Sequence, residues 1–216
     1  MPSASTKHYA VITADVIGSR QVNSFTHKRD RILKEISRLH LDQKLILSSY
    51  TVTAWDEFEV VLTRPQLAPH AILDLRRTFY PLALRIAIGI GPAVGVHKKP
   101  INQKAGGPAF ERARRAAEES KAGNSKYPLL TVFNSGNELF DTIANTVYRL
   151  QDSLLLRTTA KQWAAINAQL KTGRQDTTAR RLNLDISTVS RNLKRGSYWQ
   201  FVETAQAMER ILGAYF

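Results

Sequence analysis

Hydrophobic positions along the chain change period several times, and each change marks an element. "HYAVITADVI", residues 8–17, is a near-continuous apolar run rich in Val and Ile, as a strand covered on both faces requires. In "THKRDRILKEISRLH", Ile32, Leu33, Ile36 and Leu39 recur at helical spacing while Lys28, Arg31, Lys34 and Arg38 fill the other positions, which predicts an amphipathic helix. "KLILSSYTVTA" and "EFEVVLT" are β-rich runs separated by a tight acidic turn at Trp55 and Asp56, so a hairpin is expected. A helix within "QLAPHAILDLRRTFY" and a strand in "LALRIAIGIG" come next. The order β-α-β-β-α-β predicts an α+β fold of the ferredoxin-like, split βαβ kind.

A Gly/Pro/Lys-rich loop, "GPAVGVHKKPINQKAGGP", leads to a charged helix, "AFERARRAAEESKAG", and a short strand, "PLLTVF". Past residue 136 no strand pattern survives, and "NELFDTIANTVYRLQDSLLL" carries a helical stripe toward the C-terminal tail. The boundary is placed near residue 145, giving a sheet domain over 1–145 and an all-α domain over 146–216. In the tail, "TTAKQWAAINAQLKTG" supplies a supporting helix with Trp163, Ile166 and Leu170 on one face. "YWQFVETAQAMERILGAYF" supplies a closing one with Trp199, Val202, Met208 and Leu212 available for burial. Between them "QDTTARRLNLDISTVSRNLKRG", residues 175–196, has the layout of a helix-turn-helix. Ala179 is small enough for two helices to cross, Leu182, Leu184, Val189 and Leu193 form the shared core, and Asn183 tolerates the left-handed backbone of the turn.

Charge sharpens this picture. A formal net charge of +13 on 216 residues calls for a polyanionic partner, either nucleic acid or an acidic membrane. Residues 146–216 hold eleven Lys and Arg against five Asp and Glu, a net +6, so the excess is denser in the tail. Arg180 and Arg181 are placed to grip a phosphate backbone, while Ser187, Thr188, Ser190, Arg191, Lys194 and Arg195 offer donors to phosphates and base edges. Asp185 or Ser187 is the expected cap of that second helix. Double-stranded DNA is the expected partner, read by a homodimer on two half-sites. The plain alternative is a structural helical hairpin with solvated basic residues. The best apolar run, "PLALRIAIGIGPAVGV", is interrupted by Arg85, Gly and Pro, so no membrane span is expected. The chain has no cysteine and no signal-peptide pattern in "MPSASTKHYA", which makes a soluble cytoplasmic protein the expectation. The five histidines show no metal-ligand spacing.

Two acidic positions raise a different possibility. Asp15 ends the first strand and Asp56 begins the third, and in a split βαβ sheet these strands are antiparallel neighbours, so both carboxylates reach one sheet edge. Paired carboxylates repel unless a cation lies between them, and Mg²⁺ takes one or two carboxylates completed by water and substrate phosphates. The pair is therefore a candidate magnesium–nucleotide site, with Gly18 letting the backbone turn and approach a phosphate. The plain alternative is two turn-forming aspartates, with Glu57 and Glu59 facing solvent.

Together "ADVIGSR", the hairpin "WDEFEV", "RIAIGIG" and "GPAFERARRA" resemble the SatD family over most of residues 8–133. The succession of supporting helix, helix-turn-helix and closing helix resembles that family's C-terminal part. Its N-terminal part is similar to the palm-like domains of class III nucleotide cyclases and GGDEF-type diguanylate cyclases. The resemblance implies that Asp15 and Asp56 hold paired metal ions and that Arg115 of "FERARRA" stabilises developing phosphate charge. Glu111, however, stands where those cyclases keep an asparagine that orients ribose, and Ala54 and Trp55 replace their paired glycines. The implied role is a transcriptional regulator whose palm-like domain binds a nucleotide or other phosphorylated ligand. The rival is a magnesium-dependent nucleotidyl transferase or cyclase held on nucleic acid by its tail, and a third reading makes the palm a dimerisation platform. Lys98, Lys99, Lys104, Arg112 and Arg114 either funnel phosphates to the site or solvate their loop and helix.

Overall fold

The structure, a computed structural model, describes residues 7–96, 105–122, 126 and 128–216. Five strands and eight α-helices are present among the described residues, joined in one mixed sheet with an α+β arrangement. Strand β1 (Tyr9–Val16) lies at its centre, between β3 (Glu57–Leu62) and β4 (Leu84–Gly91), and runs antiparallel to both. A two-residue strand, β2 (Thr51–Val52), flanks β3. On the opposite edge β5 (Thr131–Asn134) runs parallel to β4. The order is β2-β3-β1-β4-β5.

The continuous apolar run of β1 follows from its position, because every one of its residues is buried. Ala10, Ile12, Ala14 and Val16 join the main core beneath α1 (Phe25–Asp42), α2 (Ala68–Phe79) and α4 (Glu138–Arg157). Phe58 of β3 stacks on Phe79 of α2 there, with ring centroids 5.1 Å apart. Burying each such side chain contributes roughly 1.5–3 kcal/mol relative to leaving it in water. Tyr9 and Val11 point to the other face, where α3 (Pro108–Lys121) covers β4 and β1. That helix lies so close to β4 that a Cβ on Gly89 would fall 2.1 Å from the Ala109 carbonyl oxygen, so no larger residue fits without moving α3.

The first hairpin strand is shorter than the apolar pattern of residues 44–54 predicts. Only Thr51–Val52 pairs as a strand, beyond an isolated bridge from Ile46 to Leu62. Tyr50 accounts for the break, because it turns into the core instead of continuing along β3. Its backbone N–H donates to Ser37 Oγ at 3.0 Å, and its hydroxyl meets His40 Nδ1 at 3.0 Å. Lys98, Lys99 and Lys104 lie outside the described residues.

The tail forms α5 (Ala160–Thr172), α6 (Gln175–Leu182), α7 (Ile186–Arg195) and α8 (Tyr198–Tyr215). Thr159 and Gln162 cap α5 reciprocally, satisfying two otherwise orphaned backbone donors. Trp163, Ile166, Ala179, Val189, Leu193 and Phe201 make a separate small core. Helix α8 belongs to both cores: Phe201 to the small one, Met208 and Leu212 to the main one. A buried ion pair, Arg76 Nη2 to Asp152 Oδ1 at 2.6 Å, ties α2 to α4, and Thr131 of β5 donates to the same carboxylate oxygen. Residue 145, the expected boundary, lies inside α4. No helix among the described residues is long and apolar enough to cross a membrane.

Candidate functional site

The sheet topology brings the two candidate aspartates to one edge. Asp15 sits opposite Glu57 on β3 and opposite Arg85 on β4. Asp56, just before β3, accepts the Val16 N–H at its carbonyl, 3.0 Å away. Each carboxylate already has partners. Arg85 Nη1 donates to Asp15 Oδ2 at 3.1 Å, Lys121 Nζ lies 3.8 Å from Asp15 Oδ1, and Ser19 Oγ donates to Asp56 Oδ2 at 2.9 Å. Lys121 also donates to Glu57 Oε2 at 3.0 Å. Two of the acids of this edge, Asp15 and Glu57, are thus paired with the protein's own cations, whereas the side chain of Asp56 is met by the neutral Ser19 hydroxyl.

Burial nevertheless dominates at Asp15, which is 8% exposed. Desolvation pushes its carboxyl above the usual range, Lys121 and Arg85 pull against that, and nearby Asp56 adds to the rise. Lys121 answers in kind: partial burial lowers its ammonium, but the hydrogen bond to Glu57 and the charge of Asp15 outweigh this and raise it. No cluster of three or more His, Cys, Asp or Glu set to hold a metal is found among the described residues. A Mg²⁺ ion at this edge would have to displace the Lys121 ammonium from between Asp15 and Glu57.

Gly18 takes a left-handed backbone, φ 72°, at the turn after β1, and a Cβ there would meet nothing within 4 Å. That turn is open on its outer side, as a close backbone approach requires. Trp55 at the hairpin tip is 57% exposed; its ring lies 5.9 Å from that of Phe25, and its carbonyl accepts from Arg29. Glu59 does not face open solvent as expected: it is partly covered, accepts from the Thr13 hydroxyl at 3.2 Å, and burial raises its carboxyl. An open cleft of about 980 Å³ runs between this sheet face and α3, lined by Thr13, Thr51, Glu59, Phe110, Arg114 and Arg115. Arg115 is exposed on the cleft wall, one turn of α3 from Glu111.

The tail presents a different electrostatic surface. Helix α6 ends at Asn183, whose φ 52° and ψ 50° are left-handed, and the Leu184 N–H returns to the Ala179 carbonyl at 3.0 Å. Asp185 stands at the N-cap of α7, with no side-chain capping bond. Val189 and Leu193 point into the small core, which leaves Ser187, Arg191, Lys194 and Arg195 exposed and Thr188 and Ser190 half-buried. Arg191 donates to the Thr188 hydroxyl at 3.1 Å. Arg180 shares Asp176 with Arg174, whereas Arg181, Lys194 and Arg195 have no acidic partner among the described residues. Arg174 holds the Asp176 carboxyl down at about 2.

Three polar arrangements gave no signal in the linear pattern. Arg85 is the nearest to having one, since a charged residue inside "LALRIAIGIG" must find a partner, but identifying Asp15 requires the β1–β4 register. The Arg76–Asp152 pair joins residues 76 positions apart. His40 is wholly buried, bridging the Tyr50 hydroxyl and Asp74, and Asp74 is held below the usual carboxylate range because bonds from His40 and Arg77 outweigh its burial.

Both regions fall within a single match to a known family pattern, which extends over residues 9–212. The chain belongs to the SatD family. No curated protein matches it. The SatD match runs from the first residue of β1 to within a turn of the end of α8, so it takes in the sheet edge, the cleft and the basic helix together.

Proposed function

We propose that the protein is a DNA-binding transcriptional regulator whose sheet half senses a nucleotide or another small phosphorylated ligand. The observation that carries this reading is the exposed basic face of α7. Arg191, Lys194 and Arg195 stand clear of the body of the molecule, with Arg180 and Arg181 exposed on the neighbouring α6. Helices α6 and α7 are read as a helix-turn-helix: Ala179 is buried at their crossing, Asn183 makes the left-handed turn, and Val189 and Leu193 anchor the second helix. In that geometry the N-terminal part of α7 enters a major groove and the arginines of α6 flank it on the phosphates. A homodimer would present two such helices to two half-sites.

For the sheet half, the element order β1-α1-β2-β3-α2-β4 supports a ferredoxin-like, palm-like domain with β5 added beside β4. The cleft beside α3 offers Arg114 and Arg115 to a phosphate and Thr51 to hydrogen bonding, against Glu57, Glu59, Glu111 and Glu118 on the same lining. The deciding experiment titrates the full chain against fluorescent duplex DNA at several salt concentrations. Tight binding with a steep negative salt slope supports the reading, and binding no tighter than to heparin removes it.

The enzymatic reading has one observation in its favour, the arrival of Asp15 and Asp56 at the same edge. Its requirement for Mg²⁺ meets the Lys121 and Arg85 cations already there. Incubation with labelled ATP or GTP and Mg²⁺ separates the two, since a regulator leaves the nucleotide intact. A palm that only dimerises would show unchanged nucleotide affinity in Asp56→Ala.

A further inference from the structure

The N-terminal tip of α7, one turn beyond the buried Val189, carries two exposed aliphatic side chains that neither charge nor core packing explains. Ile186, the first residue of the helix, is 55% exposed, and Leu184, expected in the shared core, instead lies outside it in the connection before α7, 42% exposed. Isolated apolar residues on a surface are ordinary. These two are neighbours, at the tip of the element with the most exposed cations in the tail. Side chains in an α-helix lean toward its N-terminus, so Ile186 leans past the end of α7, in the direction that leads into a groove. Asp185, exposed between the two, is repelled by phosphate, and the donors that base edges in the major groove offer its carboxylate are the amino groups of adenine and cytosine.

The major groove contains one apolar feature, the 5-methyl group of thymine. We propose that Ile186, supported by Leu184, reads that methyl group and so makes the protein selective for a T·A pair beneath the N-terminus of α7. The occupant of this apolar tip is duplex DNA, because Arg191, Lys194 and Arg195 on the same helix and Arg180 and Arg181 beside it supply the complementary charge. The assignment rests on the DNA-binding reading above and can fail separately from it. Ser187 and Arg191, four residues apart and both exposed, then lie on the adjoining strip, where an arginine pairs with guanine O6 and N7.

The test uses the full chain. Duplexes are enriched from a random-sequence pool, and the tightest is resynthesised with each thymine in turn replaced by deoxyuridine, which removes only the methyl group. At one position the deoxyuridine duplex should bind about fourfold more weakly, the loss expected for one methyl-sized apolar contact. Ile186→Ala should bind the thymine duplex about as weakly as the wild type binds the deoxyuridine one, with no further loss on deoxyuridine. Ile186→Val, which keeps a branched aliphatic, should retain most of the sensitivity. Indifference of the wild type to every deoxyuridine overturns the proposal while leaving DNA binding in place. So does full sensitivity in Ile186→Ala. If no duplex is enriched although the chain binds DNA, selectivity for a T·A pair is overturned; if the chain binds no duplex at all, the DNA-binding reading falls and takes this one with it.

Discussion

At the sheet edge Asp15 meets Arg85 at 3.1 Å and Lys121 at 3.8 Å, whereas on α7 Lys194 and Arg195 meet no acid among the described residues. Both regions are rich in charge, yet only one answers most of it internally. At the edge Glu57 and Asp15 share one lysine and Arg85 adds a second cation. Helix α7 leaves its circuit open, and an open cationic surface lowers its free energy by displacing counter-ions from a polyanion. The difference teaches where outside partners are needed: charge identifies a docking surface when the molecule has not already answered it.

The buried pair Arg76–Asp152 gives the extreme case of internal balance, and breaking it carries the largest expected effect. Arg76→Ala leaves Asp152 charged, buried and unpaired, which should cost about 3–5 kcal/mol in urea unfolding. A loss below about 1 kcal/mol would mean that water already reaches the carboxylate. Next comes the open surface. Arg191→Ala combined with Lys194→Ala should weaken duplex binding at least about tenfold and flatten its salt dependence, with the melting temperature hardly changed because both side chains are exposed. Undiminished affinity would remove α7 from the DNA interface.

Smaller effects belong to the sheet edge, and here the sign is informative. Burial raises the folded Asp15 carboxyl, so this group favours folding most below its unfolded value, and that contribution is lost as pH rises through the raised one. Asp15→Asn should therefore be neutral or mildly stabilising at pH 7, within about 1 kcal/mol, and the difference from wild type should shrink toward pH 4. A clear destabilisation at pH 7 would show that the Arg85 and Lys121 bonds outweigh desolvation. Asp74 runs the other way. Bonds from His40 and Arg77 lower its carboxyl, so its contribution is present above the unfolded value and is lost as pH falls through the lowered one. Asp74→Asn should accordingly cost stability at pH 7 and less at pH 3. The smallest effect is that of Lys121→Ala, whose side chain is 43% exposed, at under about 1 kcal/mol.

Much of this architecture was legible in the sequence because periodicity reports burial directly. The Val/Ile run of β1, the stripe of α1 and the succession α5 to α8 all appear where the pattern places them. The pattern overran at residues 44–50, where the apolar character of Tyr50 reflects a place in the core and not in the ladder. That Asp15 and Asp56 reach one edge follows from topology. That Arg85 and Lys121 reach it too does not, because one depends on the register of a strand pair and the other on how far α3 extends over the sheet. The left-handed Asn183 was readable from residue chemistry alone.

Helix α8 contributes Phe201 to one core and Met208 and Leu212 to the other. Transplanting residues 158–216 onto a foreign carrier would strand those last two side chains in water. The tail is a welded joint and not an interchangeable cassette, and any hybrid built from it must bring along the surface of α2 against which α8 is seated.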